Sequence, residues 1–175
     1  SGFSPYATHS FAFIEMLQLA EVINAKCIIG MSMDETSEDI SDFVEYANGS
    51  ADTRWGARRV ADGHPEPYNL KYIQVDNERL ITPGYVECMK KFALAAWKVD
   101  PEMNIMTSLN LHNGRYTRGN VEYKLTLDLI KWFVAQGKGD KLAWDPHFDG
   151  GDLGFATTDK FFRQLGLELK RLVEE

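Results

Sequence analysis

Four short apolar runs alternate along this chain with amphipathic segments of helical period, and that alternation constrains the fold more than any other feature. The runs are Cys27–Met33, Leu70–Val75, Asn104–Leu109 and Leu142–Phe148, starting near residues 27, 70, 104 and 141. A repeat of about 35 to 40 residues is the rhythm of βαβ units, whose right-handed crossovers make a parallel sheet. Two α/β architectures fit: a small doubly wound sheet, or half of a (β/α) barrel. A complete eight-stranded barrel takes about 250 residues, and this sequence has 175. No GxGxxG or GxxxxGK[ST] follows any of the runs, which removes the commonest nucleotide-binding readings of a doubly wound sheet. At 44% hydrophobic and 26% charged residues, the sequence has the apolar content for a real core.

The segments between the runs carry their own start and stop signals. Phe11 to Ile23 reads as a helix with Phe11, Ile14, Met16 and Leu17 sharing a side, Ser10 as cap and Asn24 at the end. Thr36 caps a second helix to Ala47, with Asp39 in its first turn. Ile40, Phe43, Val44 and Ala47 form an i, i+3, i+4, i+7 stripe on it, and Gly49 stops it. Ser50 to Asn69 reads as a long ordered loop. Thr82-Pro83 opens a helix reaching Val99, because proline suits the first helical position. Val121 to Gln136 is expected to turn Leu127, Ile130, Phe133 and Val134 inward. A last helix, capped by Thr158 or Asp159, carries Phe162, Leu165, Leu169 and Leu172.

Several function classes fall away. Lys and Arg number 19 against 26 Asp and Glu, a net charge of −7, and no basic run occurs, so a nucleic-acid partner is not expected. Cys27 and Cys88 are too few for a disulfide framework; Cys27 opens an apolar run and reads as a core residue. His9, His64, His112 and His147 lie at no ligand spacing, so no metal is expected, nor any other cofactor. No apolar run approaches a membrane span, so no membrane partner is expected. No Gly-x-Ser-x-Gly elbow supports a serine hydrolase.

In parallel α/β folds ligands meet the carboxyl ends of the strands. Here those ends read Ser32-Met33-Asp34, Asp76-Asn77-Glu78, Ser108-Leu109-Asn110 and Asp145-Pro146-His147-Phe148. A carboxyl beside a carboxamide, Glu78 next to Asn77, suits glycoside hydrolysis: the acid protonates the leaving oxygen while the amide holds the sugar 2-hydroxyl. The other reading of Glu78 is a solvated loop glutamate. His147 either binds a sugar hydroxyl or orients a carboxylate, or it is a satisfied core histidine. Asp145 either orients a neighbour or is a loop residue. Trp55, Tyr68 and Trp144 are aromatic surfaces for a sugar or, more commonly, core.

The series Phe43-Val44-Glu45-Tyr46-Ala47-Asn48-Gly49, Trp55-Gly56-Ala57-Arg58-Arg59, Gly63-His64-Pro65-Glu66-Pro67-Tyr68-Asn69-Leu70-Lys71-Tyr72 and Asn77-Glu78 resembles the middle of an α-L-arabinofuranosidase of glycoside hydrolase family 51. Phe13-Ile14-Glu15-Met16-Leu17-Gln18-Leu19-Ala20 is similar to the helix before it. The resemblance is close from about Phe11 to Asn110 and looser through Phe148. It implies a (β/α)8 TIM barrel with an attached β-sandwich, and retaining hydrolysis by two glutamates. The four runs then correspond to barrel strands three to six, and residues 1–175 to one fragment of a glycosidase catalytic barrel. Glu78 falls at the general acid/base, Asn77 at the 2-hydroxyl contact and His147 at the histidine of a strand-six His-Tyr pair. The sequence departs from the family at three places. Asp76 stands where glycine usually precedes Asn-Glu, Phe148 stands for the strand-six tyrosine, and Ser32-Met33 occupies the place of a strand-three asparagine.

The resemblance further implies that the nucleophile, strands one, two, seven and eight and the sandwich lie outside the chain, and that the fragment alone is inactive. The expected partner is an arabinose-containing oligo- or polysaccharide such as arabinan or arabinoxylan. The open strand edges call for self-association or the missing barrel half. Ser1-Gly2-Phe3 shows no signal peptide, so the compartment stays open, a secreted or periplasmic parent being compatible. Asp76 and Phe148 motivate a second expectation, a non-catalytic carbohydrate-binding relative of the same fold. A third is a complete small α/β protein of unrelated function.

Overall fold

The computed structural model describes residues 11–110 and 119–147, with helical positions 163, 167 and 170. Strands β1 (Ile28–Met31), β2 (Tyr72–Val75), β3 (Asn104–Asn110) and β4 (Leu142–His147) form one sheet in the order β1-β2-β3-β4. Every pairing is parallel. Ile29, Ile73, Ile105 and Leu142 lie in one row across the sheet, and Met31, Val75, Thr107 and Trp144 in another. Helix α1 (Phe13–Val22) precedes β1, and helices α2 (Ser37–Asn48), α3 (Arg54–Ala61), α4 (Pro83–Val99) and α5 (Val121–Ala135) lie in the connections between strands. Positions 163, 167 and 170 are helical, within the last helix of the sequence reading, while its Phe162, Leu165, Leu169 and Leu172 lie outside the described residues, as does Phe148.

The two best-signalled helices begin where their caps place them. Thr36 Oγ1 accepts from Asp39 N, and the Asp39 carboxylate returns bonds to the Thr36 amide (2.8 Å) and hydroxyl (2.6 Å). Those bonds hold the Asp39 carboxyl below the usual range, the Thr36 hydroxyl contributing most. Thr82 Oγ1 accepts from Tyr85 N, with Pro83 at the first helical position of α4.

The core lies on one face of the sheet. Ile29, Ile73, Val75, Ile105 and Thr107 are buried against Ile40, Phe43, Val44 and Ala47 of α2 and Tyr85, Val86, Met89, Phe92 and Ala96 of α4. Each full burial of an Ile or Phe contributes about 1.5–3 kcal/mol. On α5 the buried stripe is Thr126, Leu129 and Phe133; Val134 is 55% exposed, so the inward face is rotated by about one position from the expectation. Trp97 sets that rotation, stacking on Trp132 at 6.1 Å and meeting Phe133 edge-on at 5.3 Å. Helix α1 also departs from its expected face. It starts two residues later than read, Glu15 accepting from Ala12 N, and only Leu17 is buried while Phe11 and Met16 are exposed. Asn24 does end it, in the left-handed region at φ 53.

The stretch read as a loop, Ser50 to Asn69, contains α3. Thr53 Oγ1 accepts from Gly56 N, and a Cβ on Gly56 would sit 1.9 Å from the Ser50 carbonyl oxygen, so only glycine fits. This helix is short and polar on most of its surface, which hid its periodicity. Its inward anchor is a cation. Arg59 is fully buried, and its guanidinium donates to four backbone carbonyls: Tyr46 (2.8 Å), Gly49 (2.9 Å), His64 (3.2 Å) and Pro65 (3.2 Å). Tyr46 and Gly49 belong to the end of α2, whose last carbonyls lack helical partners. His64 and Pro65 open the segment that leads into β2. There His64 stacks on Tyr68 at 3.9 Å and reaches Glu21 of α1 at 2.8 Å. Asn48 finishes the alignment, pairing both the amide and the carbonyl of Leu70 at 2.8 Å as a strand would.

Two predictions follow from the packing. Arg59→Ala orphans four carbonyls and lowers unfolding free energy by about 3 kcal/mol or more. Arg59→Lys recovers little of that, because an ammonium does not reproduce the planar fork. Urea denaturation followed by circular dichroism reads both, and near-native stability in either variant overturns the account. Tyr85→Phe removes a buried hydroxyl that donates to Val75 O (2.8 Å) and accepts from Thr107 Oγ1 (3.0 Å). It is expected to cost about 1–2 kcal/mol in the same experiment.

Candidate active site

Glu78 and Asn77 stand just past the carboxyl end of β2, a strand paired on both sides. Their turn is unusual in its backbone. Asp76 and Glu78 both lie in the left-handed region, at φ 54 and φ 52. Non-glycine residues avoid that region, Asp and Asn least, because their short polar side chains bond locally. The departure at Asp76 thus falls on a position whose geometry favours glycine, and aspartate is among the few side chains suited to replace it.

The turn is held from several directions. Asp76 N donates to Met31 O of β1 at 2.7 Å. Asp76 Oδ1 accepts from Asn77 N at 2.7 Å, and Oδ2 meets Arg79 Nε at 2.9 Å. Gln74 Nε2, from within β2, donates to Asp76 O at 3.1 Å and to Asn77 Oδ1 at 3.4 Å. Below it, the Tyr85 hydroxyl fixes the Val75 carbonyl to β3 through Thr107. Asn77 and Glu78 are both solvent-exposed at this rim.

His147 closes β4 opposite Asn110. Val75 aligns with Thr107 and Thr107 with Trp144, so Glu78 and His147 each sit three residues past one row of the sheet, two strands apart on the same rim. The His147 side chain lies outside the described residues. Asp145 is a strand residue paired with Ser108 rather than part of a loop. Ser32 and Asp34 form a turn after β1, Ser32 Oγ accepting from Asp34 N.

The three aromatic candidates belong elsewhere. Tyr68 precedes β2 and stacks on His64 at the amino end of the sheet, opposite the rim, because parallel strands are entered from that end. Trp55 sits on α3 with its amide held by Glu45 of α2, on the helix side. Trp144 shares the row of buried Val75 and Thr107 and packs on the core. Cys27 also packs against the core, and burial pushes its thiol up. Gln74, Tyr85 and Arg79 are the residues that the sequence did not single out. The Asp76/Arg79 spacing of opposite charges at i, i+3 was the available signal.

Comparison with known proteins bears on the family and the fold. The family model of the alpha-L-arabinofuranosidase 1 domain matches residues 1–133. The chain is 33% identical over 107 residues to alpha-L-arabinofuranosidase 2 of Arabidopsis thaliana, covering 54% of this chain and 16% of that protein. It is 31% identical over 71 residues to the extracellular exo-alpha-L-arabinofuranosidase of Streptomyces chartreusis, covering 41% of this chain and 9% of that protein. The fold matches the solved GH51 alpha-L-arabinofuranosidase of Thermotoga petrophila RKU-1 with a TM-score of 0.63 at 19% identity, over 94% of this chain and 34% of that one. The alpha-L-arabinofuranosidase of Thermotoga maritima, solved with arabinose, matches with a TM-score of 0.57 at 20% identity, over 82% of this chain and 39% of that one. The chain spans well under half of each of these relatives. A parallel α/β sheet covering part of a GH51 fold, together with a family match over most of the sequence, identifies this chain as a member of the α-L-arabinofuranosidase family.

Proposed function

We propose that this chain is the strand-three to strand-six segment of the catalytic barrel of a retaining α-L-arabinofuranosidase, with Glu78 as general acid/base. The observation that carries the reading is the Asn77–Glu78 turn, exposed at the carboxyl end of a strand paired on both sides, in a chain of this family. In the first step the Glu78 carboxylic acid gives its proton to the glycosidic oxygen. The bond from that oxygen to the anomeric carbon breaks as a second carboxylate, supplied from outside these 175 residues, bonds to the anomeric carbon. In the second step the Glu78 carboxylate takes a proton from water, whose oxygen displaces the second carboxylate and releases the sugar. Asn77 holds the 2-hydroxyl and His147 shapes the sugar subsite. The substrates are terminal arabinofuranosyl groups of polysaccharides such as arabinan and arabinoxylan.

The sheet's free face supports placing these strands in a larger barrel. Ile28 is 42% exposed, Gly30 is exposed, and Gln74, Met106 and Ala143 are half-buried on the side that the helices leave uncovered. In a closed barrel that side is the packed interior.

Hydrolysis of a nitrophenyl α-L-arabinofuranoside by the full-length protein tests the reading. Glu78→Gln is expected to reduce kcat/KM by about 10²–10⁴-fold with its fold intact, and the 175-residue chain alone is expected to show no turnover. Wild-type rates in Glu78→Gln remove the assignment. Turnover by the isolated chain removes the split of the two carboxylates. Oligosaccharide binding without hydrolysis by the full-length protein turns the conclusion to a non-catalytic relative.

A further inference from the structure

We propose that Asp76 and Arg79 form a positioning pair that brackets Asn77–Glu78 and sets the charge around the Glu78 carboxyl. The inference rests on the acid/base reading of Glu78 and adds to it two residues that act through it. Asp76 satisfies three demands at once. Its amide ties the turn to β1 through Met31 O, its Oδ1 holds the Asn77 amide, and its Oδ2 holds Arg79. Its carbonyl is held in turn by Gln74. An aspartate at φ 54 carries a backbone cost that these bonds offset, so the turn between residues 76 and 79 is fixed although it lies beyond the strand.

The pair also carries a charge argument. Asp76 is two residues before Glu78 and Arg79 is one residue after it. The carboxylate and guanidinium are 2.9 Å apart, and opposite charges held that close offset each other's field on a neighbouring group. Asp76 is 16% exposed and Arg79 59%, so the pair contributes little to stability as a surface ion pair. Its consequence is local. Removing either partner leaves a single uncompensated charge beside the acid, of opposite sign in the two cases. Among the described residues, the titratable groups near this rim include Asp34 beyond β1, Cys88 and Lys91 of α4, and Asp145 of β4. Asp34, Asp76 and Lys91 all act on the Cys88 thiol, which burial pushes up. The substitutions below leave these groups in place.

The test uses Asp76→Asn, Arg79→Gln and the double variant in the full-length protein. Asparagine keeps the acceptor for Asn77 N and tolerates the left-handed region, so the turn is retained. In Asp76→Asn the lone guanidinium favours the Glu78 carboxylate, and the alkaline limb of kcat/KM moves to lower pH by about half a pH unit. In Arg79→Gln the lone Asp76 carboxylate favours the protonated acid, and the limb moves to higher pH by a similar amount. The double variant returns the limb to its wild-type place. A merely structural role lowers kcat in all three variants with the limb unmoved, and that result overturns the proposal. Glu78→Gln run alongside separates the two readings. Full activity there removes the acid/base role and the pair with it, whereas lost activity with unmoved limbs in the single variants overturns the pair alone. Titration of the Glu78 side-chain carboxyl by carbon-13 NMR, its resonance identified by loss in Glu78→Gln, reads the same opposed displacements in a protein without turnover. Displacement in one common direction, or none, overturns the proposal there.

Discussion

A parallel sheet has to be covered by its own crossovers, and here the crossovers cover one face. Right-handed β-α-β connections return every helix to the same side. α2, α4 and α5 therefore bury one row of each strand, Ile29, Ile73 and Ile105 and then Val75 and Thr107, against a single core. All four strands consequently run the same way and end on the same rim. Whatever chemistry the chain carries is gathered there by topology before any side chain is considered. The opposite face, with Ile28 exposed and Gln74 and Met106 half-buried, is the face that a closed barrel turns inward.

The parts of this arrangement legible in the sequence were those governed by local physics. Thr36 with Asp39 and Thr82 with Pro83 announced their helices because a cap is a contact between residues one turn apart. The four strands were legible because a strand inside a βαβ unit is a short apolar run between helices. What the sequence hid depended on contacts between elements. The rotation of α5 is set by Trp97, more than thirty residues earlier. α3 is anchored by a buried Arg59, a residue that composition assigns to the surface, and its partners are backbone carbonyls that leave no mark in the sequence. The exposed side of α1 was read as inward because its apolar residues are real but have little to pack against among the described residues.

The site divides along the same line. Asn77 and Glu78 were legible as a pair of chemical groups at a strand end, and the family resemblance implied the roles we propose for them. Asp76 was legible only as a departure. Its meaning came from the backbone: a φ of 54, a carboxylate shared between the next amide and Arg79, and an amide bonded to the neighbouring strand. Trp55, Tyr68 and Trp144 show the converse. Aromatic residues near an expected site in sequence lie at the amino end of the sheet, on the helix side or in the core, because residue count along a crossover says nothing about which end of the sheet it has reached.

Placing the proposed acid just past β2 rather than past an outer strand has a mechanical consequence. Among the described residues β1 and β4 are paired on one side, while β2 is paired on both. An edge strand's position depends on whatever lies beyond it, whereas β2 is located by β1, by β3 and by α4 through Tyr85. The turn that follows inherits that definition. Asp76 is bonded to β1 and to Gln74 of β2 itself, so the two left-handed residues flanking Asn77 are braced by strands and not by loop contacts. A general acid must lie within hydrogen-bond reach of one particular oxygen, and an error of about an ångström is enough to forfeit much of its effect. Bracing of this kind suits that tolerance with groups contained in the chain, so the turn that carries the proposed acid is held locally, whatever supplies the second carboxylate of the proposed mechanism.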